Sequence, residues 1–167
     1  MTAQEYAFLV IAVVGSVSAI AVVTARNVVH AALYLMVALL AVGATYLLLG
    51  AEFVGWVQIL IYVGAIVILF LFGLMLTKAP IGRDTLDNQQ RWLGALVGAG
   101  VFAGLVFLIQ EAFPIQDARA NPTLPTTTAQ VGESIFRDYV LPFEAVSFLL
   151  LAALIGAVVL ARKDETS

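Results

Sequence analysis

The sequence contains no cysteine and a single histidine, His30. Disulfides and thiolate metal sites are therefore excluded, and no histidine cluster exists to hold zinc or haem. Charge is equally scarce: only 11% of the 167 residues are Asp, Glu, Lys or Arg. A soluble domain carries about 25%, so this chain lacks the polar residues to cover a water-facing surface. No basic run is present to meet a nucleic acid. The N-terminal "MTAQEYAFLV" has Glu5 and no Lys or Arg, which argues against a secretory signal and for a retained first helix. Nothing matches a nucleophile–base pair, a phosphate loop or a metal motif.

What is abundant is apolar sequence, 62% of the chain, with a mean hydropathy of +1.04. This is an integral membrane protein. A bilayer core about 30 Å thick takes roughly 20 apolar residues in helix, and five runs qualify: about 3–24, 29–49, 53–77, 92–113 and 142–161. Runs this long lack the alternation of barrel strands. The expected fold is all-α, one membrane domain over residues 1–167 with five transmembrane helices. The first two connections are very short, and the third carries the turn signals Pro80 and Gly82. The fourth, about 114–141, is the one long loop.

Orientation follows from the positive-inside rule. With the N-terminus outside, the inner side receives Arg26, Lys78, Arg83, Arg91, Arg162 and Lys163, and the outer side keeps Arg119 and Arg137. Six against two predicts N-terminus out, C-terminus in, and the long loop outside. No internal repeat is visible, which speaks against a self-contained carrier built of inverted halves.

The third run, "EFVGWVQILIYVGAIVILFLFGLML", is unusual for a lipid-spanning segment. At about 100° per residue, Glu52, Gly55, Gln58, Tyr62, Ala65 and Gly73 share one face, while Gly64 points nearly the opposite way. Such a stripe is what a helix packed on all sides by protein needs. It also suits water entering halfway, because Tyr62 lies about 15 Å below Glu52. Beyond it, "IVILFLFGLML" has no polar side chain and forms a hydrophobic plug of the kind that gates by wetting and drying. Gly64, between the two, is a place for a bulge or rotation. Glu144, a little inside the fifth run, is a functional candidate unless headgroup water reaches it. No acid or lysine stands at any bilayer centre, so a complete ion path needs groups from partners.

The same residues resemble a known family. The third run is similar to the signature third helix of subunit J, or chain 6, of proton-pumping NADH:quinone oxidoreductase, respiratory complex I. "RNVVHAALYLM" and "VGESIFRDYVLPFEAVSFLLLAALIGAVVLAR" resemble the family's second helix and its fifth helix with lead-in; the three segments cover a little over a third of the chain. The resemblance implies a non-catalytic membrane-arm subunit of an oxidoreductase. NADH, flavin mononucleotide, iron–sulfur clusters and quinone would sit in partner subunits, with no cofactor in this chain. It implies the small three-helix subunit and the quinone-site subunit as partners, and an energy-transducing membrane, the bacterial plasma membrane, as location. It further implies a π-bulge at Tyr62, Val63 and Gly64 and a gate at Ile66, Val67, Ile68 and Phe70, whose rotation opens a water path. Some bacterial members carry an acid where this chain has Gln58, so Gln58 is read as lining the path, with Glu52 and Glu144 at its outer side. A packing and assembly subunit, a subunit of a related hydrogenase or antiporter complex, and a small transporter using Glu144 remain the alternatives.

Overall fold

The computed structural model describes residues 2–77, 91–112 and 126–162. Pro80, Gly82, Lys78, Arg83, Asp117, Arg119, Lys163 and the run "NPTLP" lie outside them, as does the side chain of Arg91. Every regular element among the described residues is helical, and five helices are long and apolar enough to cross a membrane. The chain divides into two compact units, residues 1–125 and 126–167.

In the first unit, α1 (Ala3–Thr24) and α2 (Val28–Leu48) form an antiparallel hairpin. Thr2 caps α1 through a capping box: its hydroxyl accepts from the Glu5 N–H at 3.4 Å, and the Glu5 carboxylate accepts from the Thr2 N–H at 2.9 Å. Asn27 opens α2 by accepting from the Val29 N–H at 2.8 Å. The Gln4 side-chain amide donates to the Leu48 carbonyl at 3.1 Å, tying the start of α1 to the end of α2. Midway, a Cβ added at Gly15 would stand 3.0 Å from the Ala41 Cβ, so the backbones approach closely there.

The next turn is set by one residue. Gly50 has φ 77°, the left-handed conformation that ends many helices. The Ala51 N–H donates to the Tyr46 carbonyl and the Gly50 N–H to the Leu47 carbonyl, a Schellman arrangement that closes α2 and reverses the chain. The third span runs from Glu52 to Leu76 in three parts: α3 (Glu52–Val57), a π-helix π1 (Gln58–Val67) and α4 (Ile68–Leu76). It packs antiparallel along α2, which thereby lies between α1 and the third span. A further helix of this unit, α5 (Arg91–Ala112), is exposed along all its described side chains.

The second unit holds α6 (Thr128–Arg137) and the membrane-length α7 (Val140–Ala161). The sequence pattern places residues 128–137 inside the long fourth connection, whereas they are helical. It also starts the fifth span at Pro142, whereas the helix starts at Val140. Pro142 is thus the third residue of α7, still in the first turn, where its missing N–H leaves no intrahelical bond unmade.

Candidate functional site

The polar and glycine residues of the third span lie before its π segment (Glu52, Gly55), within it (Gln58, Tyr62, Gly64) and after it (Gly73). An α-helix advances about 100° per residue, whereas i→i+5 bonding winds more residues into each turn. The consequence is visible in which residues meet α2. Gly55 and Val67 are both buried, yet they are twelve residues apart. In uninterrupted α-helix Val67 would be turned by roughly 120° from Gly55. The π segment returns it to the α2 face, and Val63, Leu71 and Leu74 are half-buried on the same line. The single face of Glu52, Gly55, Gln58, Tyr62, Ala65 and Gly73 read from the sequence assumes one pitch throughout. Tyr62, Ala65 and Gly73 instead point away and are exposed, each displaced by the change of winding.

The two ends of this span are held differently. At its start, backbones meet: a Cβ on Gly55 would lie 2.7 Å from Leu47 Cδ2 and 3.2 Å from the Gly43 carbonyl oxygen. A Cβ on Gly43 would lie 2.9 Å from Ile59 Cγ1 and 3.4 Å from Gln58 Cγ. The contacts under 3.0 Å, to Leu47 and Ile59, are closer than real Cβ atoms come, so the absence of a side chain at these two glycines lets α2 and the third span touch. Gln58 is half-buried, and its side-chain amide donates to the Leu39 carbonyl at 3.5 Å. Continued past Gln58 and Leu39, this antiparallel register runs toward Val67 and Ala32, each only 1% exposed. The contacts at Gly43, Gly55 and Gln58 form a seam that continues toward the buried Val67.

Outside the seam there is space. A Cβ on Gly64 would meet only the Ile59 carbonyl oxygen at 3.5 Å, an ordinary contact, and one on Gly73 would meet nothing within 4 Å. Neither glycine is needed for packing among the described residues. Of the residues marked as a hydrophobic gate, Val67 is in the seam, while Ile66, Ile68 and Phe70 are about half exposed on the other side. Tyr62 is 45% exposed and Val63 half-buried.

Glu52 is exposed in the first turn of α3. Glu144 lies in the second turn of α7, exposed, and has no hydrogen-bond or ion-pair partner among the described residues. His30 is exposed at the start of α2. No group of three or more His, Cys, Asp or Glu that could hold a metal occurs among the described residues. Two contributions escape a reading of the sequence: Leu47 and Gly43, which grip Gly55 from α2. The signal available is Gly43 itself, a weak helix former in the middle of an apolar run.

Residues 18–160 match the family model described as NADH-ubiquinone/plastoquinone oxidoreductase chain 6. The chain is 38% identical to NAD(P)H-quinone oxidoreductase chain 6 of Synechocystis sp., over 96% of its own length and 82% of the relative's. It is 37% identical to NADH-quinone oxidoreductase subunit J of Pseudomonas aeruginosa, covering 96% and 98% of the two chains. With subunit J of Escherichia coli K12 the identity is 33%, covering 97% and 89%.

Proposed function

The chain belongs to the NADH-ubiquinone/plastoquinone oxidoreductase chain 6 family, and from that premise we propose that it is a non-catalytic subunit that couples quinone reduction to proton translocation through a gate in its third span. The observation that carries this reading is the ten-residue π-helix Gln58–Val67, set between a clamped start and an open end. A change of pitch in π1 turns everything after it by about one residue. With π winding, Val63, Val67 and Leu74 face α2. With α winding, Tyr62, Ile66 and Gly73 would take their places. Rotation therefore moves a phenol hydroxyl and a set of branched apolar side chains around the helix axis while Gly55 stays fixed against Gly43.

In this reading Tyr62 orders water by its hydroxyl and Gln58 lines the path with an amide. Gly64 permits the rotation, and Ile66, Val67, Ile68 and Phe70 open or shut the apolar constriction. Glu52 and Glu144 set the field on the outer side. The N-terminus lies outside, the membrane is the bacterial plasma membrane, and the proton-carrying acids belong to neighbours: the small three-helix subunit and the quinone-site subunit. NADH, flavin, clusters and quinone are bound by partners, and the chain is a single membrane domain within the assembly. The exposure of α5 along its length supports completion by partner helices, since Gly94, Gly98, Gly100 and Gly104 all face open space.

Because the chain itself has no cysteine, a disulfide formed within it is read from the gel mobility of this chain alone. Ala32→Cys is paired with Val67→Cys in one variant and with Ile66→Cys in another, each in the assembled complex. The 32–67 pair is expected to cross-link at rest, and the 32–66 pair to gain cross-linking during NADH turnover. Locking 32–67 is expected to abolish pumping, reversibly on reduction, while NADH dehydrogenation by an artificial acceptor continues. A locked complex that pumps at the normal ratio per NADH would remove the gate and leave a packing role.

A further inference from the structure

The short helix α6 is built to exist locally yet is incomplete on one side. Thr127 caps it through a second capping box, accepting from the Gln130 N–H at 3.4 Å while the Gln130 side chain accepts from the Thr127 N–H at 3.0 Å. Arg137 reaches back to Glu133 at 3.5 Å, one turn earlier. Even so, ten residues are too few for a stable isolated helix in water, where about 12–15 are marginal. Something must cover its apolar side.

At about 100° per residue, Ala129, Val131, Ile135 and Phe136 fall within an arc of about 160°, and Gln130, Glu133, Ser134 and Arg137 occupy the opposite arc. Val131 and Ile135 are half-buried, but Phe136 remains 66% exposed and Ala129 is exposed too. The Phe136 ring meets Phe143 of α7 edge to face, with centroids 5.0 Å apart. Phe143, Leu141 and Tyr139 are themselves exposed. The apolar arc of α6 is therefore continuous with the outer surface of a membrane-spanning helix.

Depth follows from length. The 22 residues of α7 extend about 33 Å, which matches a core of about 30 Å with little to spare. Asp138 and Tyr139 alone separate α6 from it, so α6 starts where the hydrocarbon ends. Tyr139, at that junction, is of the residue type that favours the headgroup level. We propose that α6 lies in the bilayer interface, with Ala129, Ile135 and Phe136 dipped into the boundary of headgroups and acyl chains and the Glu133–Arg137 face in water. It thereby fixes the depth and rotation of α7, and with them the level of Glu144 one turn inside. The occupant of the exposed arc is lipid.

The test uses single cysteines in this cysteine-free chain, within the assembled complex in native membrane vesicles open on the relevant side. Positions are Gln130 and Glu133 on one face and Ile135, Phe136 and Ala129 on the other. A membrane-impermeant polyethylene-glycol maleimide reports exposure as a mass shift of this chain. A bimane label, read against nitroxide-bearing phospholipids after reconstitution, reports contact with lipid. Expected are at least tenfold faster maleimide labelling at Gln130→Cys and Glu133→Cys, and lipid quenching at Ile135→Cys or Phe136→Cys. Ala129→Cys serves if the larger side chains prove necessary for assembly. Equal labelling of both faces would place α6 in water and overturn the proposal. So would protection of the apolar face without lipid quenching, which would mean a partner subunit covers it. Protection of both faces would mean burial within the assembly and would overturn it equally.

Discussion

Replacing Gly55 by alanine is expected to weaken the seam between α2 and the third span more than alanine at any other glycine of that span. The new Cβ would stand 2.7 Å from Leu47 Cδ2 and 2.8 Å from Leu47 Cγ. Restoring an ordinary contact of 3.4 Å requires Leu47 to withdraw by about 0.7 Å. A rotamer change could move the Cδ2 methyl, but Cγ is close to the backbone and moves little. The Gly43 carbonyl, 3.2 Å away, is main chain and cannot turn aside. Overpacking of this kind costs about 1–3 kcal/mol. The better helix propensity of alanine returns up to about 1 kcal/mol, so a mid-range overpacking cost of about 2 kcal/mol leaves a net loss of about 1 kcal/mol. The assay is the amount of assembled complex surviving a temperature series in mild detergent, compared with Gly64→Ala, where the added methyl meets nothing closer than 3.5 Å. Leu47→Ala removes the two nearest atoms and should rescue Gly55→Ala in part, so that the double variant loses less than the sum of the two single losses. Unchanged stability of Gly55→Ala, or greater loss in Gly64→Ala, would refute the glycine seam.

Gly64→Leu puts a bulky side chain where the described residues leave space and should lower protons pumped per NADH in the complex that assembles; the ratio of pumping to quinone reductase rate is the readout. Gly50→Val should reduce the yield of assembled complex, since a β-branched residue is strained at φ 77° by about 1–2 kcal/mol or more, with Gly50→Asn milder in the same measurement. Gln58→Leu breaks a bond to the Leu39 carbonyl that is already 3.5 Å long. Its effect on stability should be near the ~0.6 kcal/mol average for interhelical bonds in membranes, so a large fall in pumping at normal yield would assign Gln58 to the path.

The spans are legible in the sequence to within a residue or two because each long apolar run is cut by a residue with a local reason to stop it. Asn27 caps, Gly50 reverses, and Thr77 follows the last apolar turn. The third span is legible as a segment but not as a surface. One angular step assigns its facing residues wrongly, because Gln58–Val67 uses another. Gly64 is compatible with a change of winding, but a glycine in an apolar run is also a packing notch, and only the coordinates separate the two. Gly55 proves to be the notch and Gly64 the open position. Helix α6 is hidden because "NPTLPTTT" sets a loop character that ends sooner than it looks. Thr127 with Gln130, and Glu133 with Arg137, are the capping and pairing signals that could reveal it.

A span of uniform leucine would be a better helix than this one and could not serve as a switch. A two-state element needs two packings that differ by only a few kcal/mol, and the gate proposed above supplies two registers of the third span to compare. Exchanging Val67 for Ile66 against Ala32 alters the buried apolar volume by one methylene, worth about 0.8 kcal/mol. Two other exchanges are unequal. Leu74 would yield to Gly73, and Val63 to Tyr62, whose hydroxyl then needs a partner inside the seam. Both differences favour the π-wound arrangement, so α winding is the state that must be driven. The clamp at Gly43 and Gly55 decides where the motion goes: with the start of the span fixed on α2, any change of pitch in Gln58–Val67 appears entirely in α4. In the gate proposed above, stabilising a different partner for Tyr62 or Ile66 is enough to turn the apolar constriction, without moving α1 or α2.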